Sequence, residues 1–241
     1  MLRAGISGIC GRMGRRILNL SKKDKDIEVV IGLEKTGHKD VGNIVEGVKV
    51  TDKLIELERC DCLIEFSTPT ATLEHLRYLV TLKKTAVVGT TGFSDDEADE
   101  VKRIAEKIPI VFSPNMSIGV NLVFRLVKEA AKVLKEYEVY IEEAHHIHKK
   151  DAPSGTAKKI ANIINSEGFS IKTEDIVSIR EDEIVGDHSV IFKSTLDEIE
   201  LSHSAKTRDI FAQGAIVAAK WIKDKKKGLY SMEDVLFGRD S

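Results

Sequence analysis

The sequence predicts an α/β fold of two domains, a parallel sheet covered by helices and a smaller α+β domain. In the first half, short β-branched runs alternate with longer helical patterns, which is the rhythm of βαβ units. After Pro114, one long helical pattern is followed by clustered β-rich runs, which predicts the α+β domain. The last helical pattern is amphipathic and alanine-rich, typical of a helix that packs back on the first sheet. We therefore expect residues 1–116 and 208–241 to form one domain and residues 117–207 the other.

The elements follow one another in a legible order. In the first half, strands are predicted in "LRAGIS", "IEVVIGLE", "CLIEFS", "TAVVGTTG" and "PIVFSP", and helices from about Arg12, in "TATLEHLRYLVTLKK" and in "DDEADEVKRIAEK". The second half adds the helix "NLVFRLVKEAAKVLKEY", the strand "VYIEEAHH", a helix from about Thr156 and β-rich runs around Ile176, Val190 and Ile199. We expect the hydroxyls of Thr70 and Ser94 to cap the helices that follow them.

Composition limits the classes of partner. The 241 residues carry 37 basic and 39 acidic side chains, a net charge of -2, so a nucleic acid is not expected as partner. The first residues, "MLRAGISGICGRMGRR", lack the apolar core of a signal peptide, and no apolar run approaches about 18 residues, so we expect a cytoplasmic protein with no membrane contact. The cysteines Cys10, Cys60 and Cys62 are odd in number and form no C-x-x-C, which favours reduced thiols.

A glycine-rich loop follows the first predicted strand. In "GISGICGRMGRRI", Gly8, Gly11 and Gly14 stand at three-residue intervals where the strand leads into the first helix. Phosphate binding needs close approach to the backbone and free N–H groups at a helix start, and this arrangement offers both. The spacing is looser than G-x-G-x-x-G, and a plain strand-to-helix turn is the alternative. The context favours a Rossmann-like dinucleotide site.

Two residues at the end of the next strand support this interpretation. Glu34 stands where an acidic side chain can accept hydrogen bonds from the ribose hydroxyls of a dinucleotide. Lys35 follows it and could pair with the 2′-phosphate of NADPH. We therefore expect both NADH and NADPH to bind.

Two further loops follow strands of the same sheet. They are "GTTGF", from Gly89 to Phe93, and "FSPNMSIGVN", from Phe112 to Asn121. In open α/β sheets, ligands bind beyond the carboxyl ends of the strands. As isolated strings these loops could be simple turns and caps, but beside the glycine loop they indicate the nicotinamide end of a cofactor site.

The run "EEAHHIHKKDAPSGTAKK", which begins at Glu142, concentrates titratable groups before a helix. If the strand continued, alternation would place His146 and His148 on one face and His145 on the other. A zinc site would need ligands from elsewhere, which no cysteine pair or second histidine cluster supplies, and a solvated loop is the other alternative. We favour a polar substrate site in which a histidine transfers a proton, Lys149 assists it, and "SGT" at Ser154 presents donors to a carboxylate.

The segment "EAHHIHKKDAPSGTA" resembles the signature of the dihydrodipicolinate reductases, now called 4-hydroxy-tetrahydrodipicolinate reductases, of lysine and diaminopimelate biosynthesis. The resemblance extends to "GICGRMGR", "GTTGF", "SPNMSIGVN", "GDHSVIF" and "FAQGAIVAAKWI", nearly the whole chain in the family's order. It implies an NAD(P)H-dependent oxidoreductase with a Rossmann-like domain and a C-terminal α+β domain that binds substrate and forms a homotetramer. The reaction implied is reduction of 4-hydroxy-tetrahydrodipicolinate to tetrahydrodipicolinate with loss of water.

The resemblance also implies roles for individual residues. The catalytic pair would be His145 with Lys149, and the substrate contacts would come from His146, Ser154, Gly155, Thr156 and Arg208. The cofactor would be held by Gly8, Ile9, Cys10, Gly11, Arg12, Met13, Glu34, Lys35, Gly89, Thr90, Thr91, Ser113, Pro114, Asn115 and Met116, with no metal. The chain departs from the pattern at Lys35, where many relatives have arginine, and at Met116, where an aromatic residue is common.

Two other functions remain compatible with parts of the sequence. Another nicotinamide-dependent dehydrogenase of amino acids or sugars could share the first half, and a sensing module could bind NADH without catalysis. Neither explains "HHIHKKDAPSGT", and a catalytic assay separates them from the reductase.

Overall fold

The computed structural model describes residues 1–238, which divide into two compact units. The first unit comprises Met1–Ser117 together with the described residues from Asp209 onward. The second unit is Ile118–Arg208. In the described part of the chain, no helix is both long and apolar enough to cross a membrane.

The first unit contains an eight-stranded sheet. Its strands are β1 (Leu2–Ser7), β2 (Ile27–Leu33), β3 (Ile44–Val45), β4 (Val48–Thr51), β5 (Cys62–Glu65), β6 (Thr85–Val88), β7 (Pro109–Phe112) and, after the second unit, β12 (Gly228–Tyr230). The strands lie in the order β12-β7-β6-β5-β1-β2-β4-β3, and all neighbours pair in parallel except β3 with β4. This parallel sheet confirms the predicted βαβ architecture.

The helices of the first unit are α1 (Arg12–Ser21), α2 (Pro69–Leu82), α3 (Asp95–Ala105), α6 (Asp209–Ile222) and α7 (Met232–Phe237), with a 3-10 helix at Leu54–Arg59. Side-chain caps mark the starts of α2, α3 and α7. Ser94 caps α3 through a reciprocal capping box with Glu97, as predicted. The predicted cap at Thr70 is wrong, because Thr68 caps α2 and Pro69 fills the first helical position, where its missing N–H costs no hydrogen bond.

Two apolar layers lie on opposite faces of the parallel sheet. Successive residues of a strand point to opposite faces, so Ile64 and Val87 join one buried cluster while Leu63 and Val88 join the other. Helix α6 contributes Ala212, Ala215 and Ile216 to the cluster that contains Ile64. Burial of both faces leaves the strand ends and their loops as the places where polar groups of this unit gather.

The second unit is a four-stranded sheet with helices against one face. Its elements are α4 (Ile118–Val133), β8 (Glu138–His145), α5 (Gly155–Ser166), a 3-10 helix (Thr173–Asp175), β9 (Val177–Arg180), β10 (Asp187–Lys193) and β11 (Glu198–Ser204). The strand order is β11-β10-β8-β9, antiparallel except between β8 and β9. Ile141 and Phe192 are buried in a cluster with residues of α4 and α5, whereas Tyr140 on the other sheet face is 51% exposed.

Candidate active site

The loop between β1 and α1 has the shape of a phosphate cradle. Gly8 adopts a φ of +73°, and a Cβ there would meet the Phe66 carbonyl oxygen at 2.5 Å. A Cβ on Gly14 would lie 2.2 Å from the Gly8 carbonyl oxygen, so only glycine allows α1 to pack this closely on the loop. Of the α-helices whose N-cap is described, only α1, with Gly11 at that position, has no side-chain cap. The backbone donors at its start therefore suit an anion.

Glu34 stands beside this loop, as its sequence position predicts. It follows the last residue of β2, and its Oε1 accepts the N–H of Cys10 at 2.8 Å. The Leu33 carbonyl accepts the N–H of Gly8 at 3.0 Å, which ties the end of β2 to the start of the loop. Lys35 and Arg12 are exposed, so a phosphate can reach both cations.

Gly89 and Thr90 follow β6 and are buried. A Cβ on Gly89 would lie 2.3 Å from the ring of Phe66, so this position requires glycine for packing. The Thr90 hydroxyl accepts hydrogen bonds from the Ser67 N–H at 3.1 Å and from the Thr72 hydroxyl at 3.0 Å. These two residues brace the loop, whereas Thr91 is exposed.

The loop after β7 is shaped by its own polar side chains. The Ser113 hydroxyl donates to the Asn115 carbonyl at 2.9 Å, and the Asn115 side-chain oxygen accepts the Ser117 N–H at 2.9 Å. Pro114 is exposed. Met116 is 2% exposed and packs in the core of the first unit, so its side chain is not available at the surface of the loop.

A buried Glu65–His75 pair supports these loops, and neither residue is among the predicted site residues. The Glu65 side chain is fully buried, and its oxygens lie 2.7 Å from His75 Nδ1 and 3.0 Å from the donating Ser67 hydroxyl. Burial lowers the pKa of His75, but Glu65 outweighs burial and leaves that pKa raised. This buried pair therefore lies directly behind Ser67 and Thr72, the residues that hold Thr90.

In the second unit, β8 ends at His145, so strand alternation does not extend to His146 and His148. The two rings that alternation would have aligned are tilted and 6.1 Å apart, and His148 is well exposed. Among the described residues, one group of side chains converges in the manner of metal ligands. That group lies elsewhere, in the first unit. Among residues 1–238, the side chains of the histidine-rich run therefore do not converge in this manner.

His145 is instead held by a buried carboxylate. Its Nδ1 is hydrogen-bonded to Oε2 of Glu143, whose side chain is completely buried. The other oxygen of Glu143 accepts Arg180 Nη2 at 2.7 Å and the Ser154 N–H at 3.1 Å. Because both carboxylate oxygens are fixed, the imidazole is fixed too, and Nε2 is the nitrogen left for chemistry.

The charges in this network set the protonation of the pair. Burial would raise the pKa of Glu143, but its hydrogen bonds with Arg180 and His145 outweigh burial and hold that pKa below its usual value. Burial lowers the pKa of His145, Glu143 opposes this, and the positive charges of Lys149 and Arg180 add to the lowering. The net result is an imidazole that releases its proton more readily than an ordinary histidine.

His188 lies against the same imidazole and completes the cluster. Its ring packs edge-on against that of His145 at 5.2 Å, and its Nε2 lies 3.2 Å from the Ser154 hydroxyl. Burial, with a further contribution from His145, lowers the pKa of His188 to about 4, so this ring is neutral near pH 7. A Cβ on Gly186 would lie 3.0 Å from His145 Nε2, which makes glycine there part of the fit.

Helix α5 begins beside Glu143. Ser154 is its N-cap, and the Ser154 hydroxyl accepts the Ala157 N–H at 3.2 Å. A Cβ on Gly155 would meet no atom of the chain within 4 Å, so open space lies in front of the first turn. Gly155 and Thr156 are the first residues of α5, where N–H groups and the helix dipole favour an anion.

The remaining predicted residues of the second unit form two pairs. Lys149 Nζ donates to Asp151 Oδ1 at 2.8 Å, and the Asp151 carbonyl accepts Arg180 Nη2 at 2.6 Å, which connects Lys149 to the Glu143 network. Arg208 Nη2 lies 3.3 Å from His146 Nε2, so these two predicted substrate contacts are together although 62 residues separate them. The structure thus gathers these cationic side chains and the Glu143–His145 pair in one unit.

Comparison with known proteins identifies the family. The family described as "Dihydrodipicolinate reductase, N-terminus" matches residues 2–116, and "Dihydrodipicolinate reductase, C-terminus" matches residues 119–236. This chain belongs to the dihydrodipicolinate reductase family. The predicted family, fold and enzyme class, a pyridine-nucleotide-dependent reductase, are therefore confirmed.

Individual dihydrodipicolinate reductases match over nearly their full length. The chain is 43% identical to 4-hydroxy-tetrahydrodipicolinate reductase of Aquifex aeolicus (strain VF5), with 98% of each chain covered. It is 39% identical to the enzyme of that name from Syntrophobacter fumaroxidans, over 98% of this chain and 99% of that one. Dipicolinate-bound dihydrodipicolinate reductase from Paenisporosarcina sp. TG-14 matches as a solved structure with a TM-score of 0.84 and 25% identity, over 96% and 97% of the chains.

The residues that position the predicted site residues were not themselves predicted from the sequence. Glu143 lies in the motif shared with dihydrodipicolinate reductases, two residues before His145, and a period of two on a strand could have indicated that both share a face. His188 lies in "GDHSVIF", also part of the resemblance. Arg180 had no local signal, because its approach to Glu143 depends on the pairing of β9 with β8.

Proposed function

We propose that this chain reduces 4-hydroxy-tetrahydrodipicolinate to tetrahydrodipicolinate, with loss of water, using NADH or NADPH. The observation that carries the proposal is the Glu143–His145 pair beside the start of α5, in a chain of the dihydrodipicolinate reductase family. The reaction of the named relatives belongs to lysine and diaminopimelate biosynthesis.

The cofactor task falls to the first unit. The loop Gly8–Met13 fits a pyrophosphate, because it offers close backbone approach and the uncapped start of α1. Glu34 accepts hydrogen bonds from ribose hydroxyls. The residues Gly89, Thr90, Thr91, Ser113, Pro114 and Asn115 form the nicotinamide end, and the buried Met116 anchors the loop after β7 in the core of the first unit. When bound, the dihydronicotinamide supplies a hydride to a ring carbon of the substrate.

Dual use of NADH and NADPH follows from Glu34 and Lys35. The carboxylate favours a ribose with both hydroxyls free, whereas the exposed Lys35 and Arg12 attract a 2′-phosphate. A lysine is a point charge without the planar fork of arginine, so neither cofactor is strongly excluded.

The substrate task falls to the second unit. The substrate carries two carboxylates, and dipicolinate, bound to the Paenisporosarcina reductase, is a planar ring dicarboxylate. One carboxylate is bound by Ser154, Gly155 and Thr156 at the start of α5, and Arg208 with His146 binds the other. Lys149 adds positive charge that opposes the charge of the dianion.

His145 donates the proton that completes the reduction. Loss of the ring hydroxyl as water leaves a conjugated imine, and addition of hydride to it leaves an enamine that must be protonated at carbon. Glu143 fixes the imidazole by Nδ1, and Nε2 delivers the proton. The low pKa of His145 makes the imidazolium a strong donor, and a bound dicarboxylate favours its protonated form.

We also infer that the chain acts in the cytoplasm as a homotetramer, with residues 1–116 and 208–241 as the cofactor domain and 117–207 as the substrate and assembly domain. The exposed apolar side chains Tyr140 and Val177, on the same face of the sheet of the second unit, favour assembly there. Size-exclusion chromatography with light scattering measures the mass of the particle, and a monomeric mass would contradict this inference.

The assay generates substrate in place from pyruvate and aspartate semialdehyde with the preceding synthase and follows NADH and NADPH oxidation in parallel. We expect oxidation that requires both this chain and the synthase. His145→Gln should slow turnover at least about 100-fold, within the range of general acid catalysis, with NADH binding unchanged. His148→Gln, at an exposed neighbouring histidine, is the matched control. Full activity of His145→Gln would contradict the assigned role.

A further inference from the structure

A second cluster of metal-binding side chains lies in the first unit. Cys10, in the glycine loop, meets His38 and Asp40, which belong to the turn after β2. One ligand atom from each lies within 4.8 Å of the other two, and all three residues are half-buried. We call these three residues the Cys10 cluster.

Backbone hydrogen bonds stabilise the turn that carries His38 and Asp40 of the Cys10 cluster. Gly37, with φ +82°, allows a tight turn in which the His38 N–H donates to Lys35 O and the Val41 N–H to His38 O, both at 3.0 Å. The Asp40 N–H lies 3.3 Å from His38 Nδ1, and Asp40 Oδ2 lies 3.9 Å from the same nitrogen, so the ring and the carboxylate are neighbours. Cys10 comes from a segment 28 residues earlier, so the three side chains meet because of the fold and not because of sequence proximity.

From this geometry we propose that the Cys10 cluster binds a thiophilic divalent cation, with Zn²⁺ as the best fit. Tetrahedral zinc, with bonds of about 2.0 to 2.3 Å, places neighbouring ligand atoms roughly 3.5 Å apart, so side-chain rotations of His38 and Asp40 suffice to close the site. Thiolate, imidazole and carboxylate suit zinc with its fourth position open. Mg²⁺ and Ca²⁺ prefer oxygen ligands alone, which excludes them here.

Metal binding at the Cys10 cluster would affect binding of the dinucleotide, because of where the cluster lies. The Cys10 N–H donates to Glu34 Oε1, so the cluster adjoins the carboxylate that, under the proposed function, binds the ribose. A metal there would attract Glu34 as a fourth ligand and place a cation where the ribose must lie. Zinc and the dinucleotide therefore exclude one another, and this part of the inference rests on the proposed function.

Cobalt(II) titration of the cofactor-free chain tests the site, because a cobalt–thiolate bond gives a near-ultraviolet charge-transfer band. We expect one Co²⁺ per chain, displaced by Zn²⁺, with the band abolished in Cys10→Ser. Co²⁺ should bind at least about tenfold more weakly to His38→Gln and Asp40→Asn, since each removes one of three ligands. Cys60 and Cys62 are fully buried and should contribute no band.

His148→Gln is the control, because it removes an exposed histidine outside the cluster. Absence of the band, its persistence in Cys10→Ser, or unchanged affinity in His38→Gln would overturn the site. Linkage requires Zn²⁺ to weaken NADH binding by the same factor by which NADH weakens Zn²⁺ binding. Independent binding of the two would overturn the exclusion. A chelator-treated chain that fails to bind NADH at all would contradict the proposed function and leave the cobalt result standing.

Discussion

The imidazole Nδ1 of His145 is joined to the carboxylate of Glu143, two residues earlier on the same face of β8. The carboxylate is buried and is held by Arg180 and by the Ser154 N–H, so it cannot turn away. Through Ser154, the same carboxylate is coupled to the start of α5. One residue therefore positions both the proposed proton donor and the helix start at which a substrate carboxylate is proposed to bind.

Glu143→Gln should separate this positioning role from folding. The amide keeps the shape and can still accept the Ser154 N–H, but it loses the charge that fixes the imidazolium. We expect kcat to fall about 100-fold, as for loss of oriented general acid catalysis, with NADH affinity unchanged. Glu142→Gln, on the exposed face of β8, is the matched control and should keep full activity. Equal effects of the two substitutions on kcat and melting temperature would contradict the role.

The pH dependence of kcat/KM should report the pKa of His145 in the free enzyme. In the proposed mechanism the protonated form is active, so kcat/KM should fall as pH rises. Because burial lowers the pKa of His145, this fall should be centred below 6.5, the ordinary pKa of histidine. Glu143 raises the pKa of His145 and Lys149 lowers it, so Glu143→Gln should move the fall to lower pH and Lys149→Ala to higher pH. Shifts in the same direction would show that these charges do not act on the titrating group.

Much of this site could be predicted from sequence, and the rest depended on tertiary pairing. The glycine loop and the nearby Glu34 follow from the order of a strand, a turn and a helix. Their placement could therefore be predicted from their spacing in the sequence. The Thr70 cap was wrong because two threonines flank Pro69, and the helix begins at the proline. Two buried pairs have partners from different elements, so no local sequence pattern predicts them. They are Glu65 with His75 and Glu143 with Arg180.

Gly155→Ala should impair substrate binding without harming the fold. The new methyl group meets no atom of the chain within 4 Å, and alanine lowers the entropy of the unfolded state, so stability should stay equal or rise by up to about 1 kcal/mol. The methyl group would occupy the space proposed for a carboxylate, and KM for substrate should rise about tenfold. Urea unfolding and steady-state kinetics check both expectations. An unchanged KM would remove Gly155 from the substrate site.

Gly14→Ala provides the contrast, because there the chain itself requires glycine. Its Cβ would lie 2.2 Å from the Gly8 carbonyl oxygen, so α1 must move away from the loop. We expect a loss of stability of about 1 to 3 kcal/mol, as for overpacking, together with weaker binding of both cofactors. Unfolding midpoints and NADH titrations measure the two effects, and a stable variant with normal NADH affinity would contradict the proposed loop geometry.

Lys35→Ala should change cofactor preference in one direction. Loss of the exposed charge should weaken NADPH about tenfold through the 2′-phosphate and leave NADH unaffected, since NADH has no group there. Lys39→Ala, at an exposed lysine on the same turn, is the control. Affinities for both cofactors come from titration of each variant. Equal weakening of NADH and NADPH would mean that Lys35 does not contact the 2′-phosphate.

His188 should make the fold sensitive to acid. Its pKa is about 4 in the folded chain against 6.5 ordinarily, so between these values the unfolded chain binds more protons. Stability due to this group is therefore lost as pH falls from 6.5 towards 4, and the loss at about pH 5 is roughly 2 kcal/mol by the linkage relation. His188→Gln should be less stable near pH 7, because Ser154 loses its ring partner, but its stability should fall less on acidification.

Urea unfolding near pH 7 and near pH 5, at one chain concentration, measures this difference directly. Other groups that titrate in this window cancel when the change for His188→Gln is subtracted from that for the unmodified chain. His148→Gln removes a histidine whose side chain is 73% exposed, and its acid dependence should match that of the unmodified chain. If His188→Gln and the unmodified chain lost the same stability on acidification, His188 would have to take up a proton without leaving its buried position. That result would place water or a counter-charge beside a ring whose Nδ1 has no hydrogen-bond partner among the described residues.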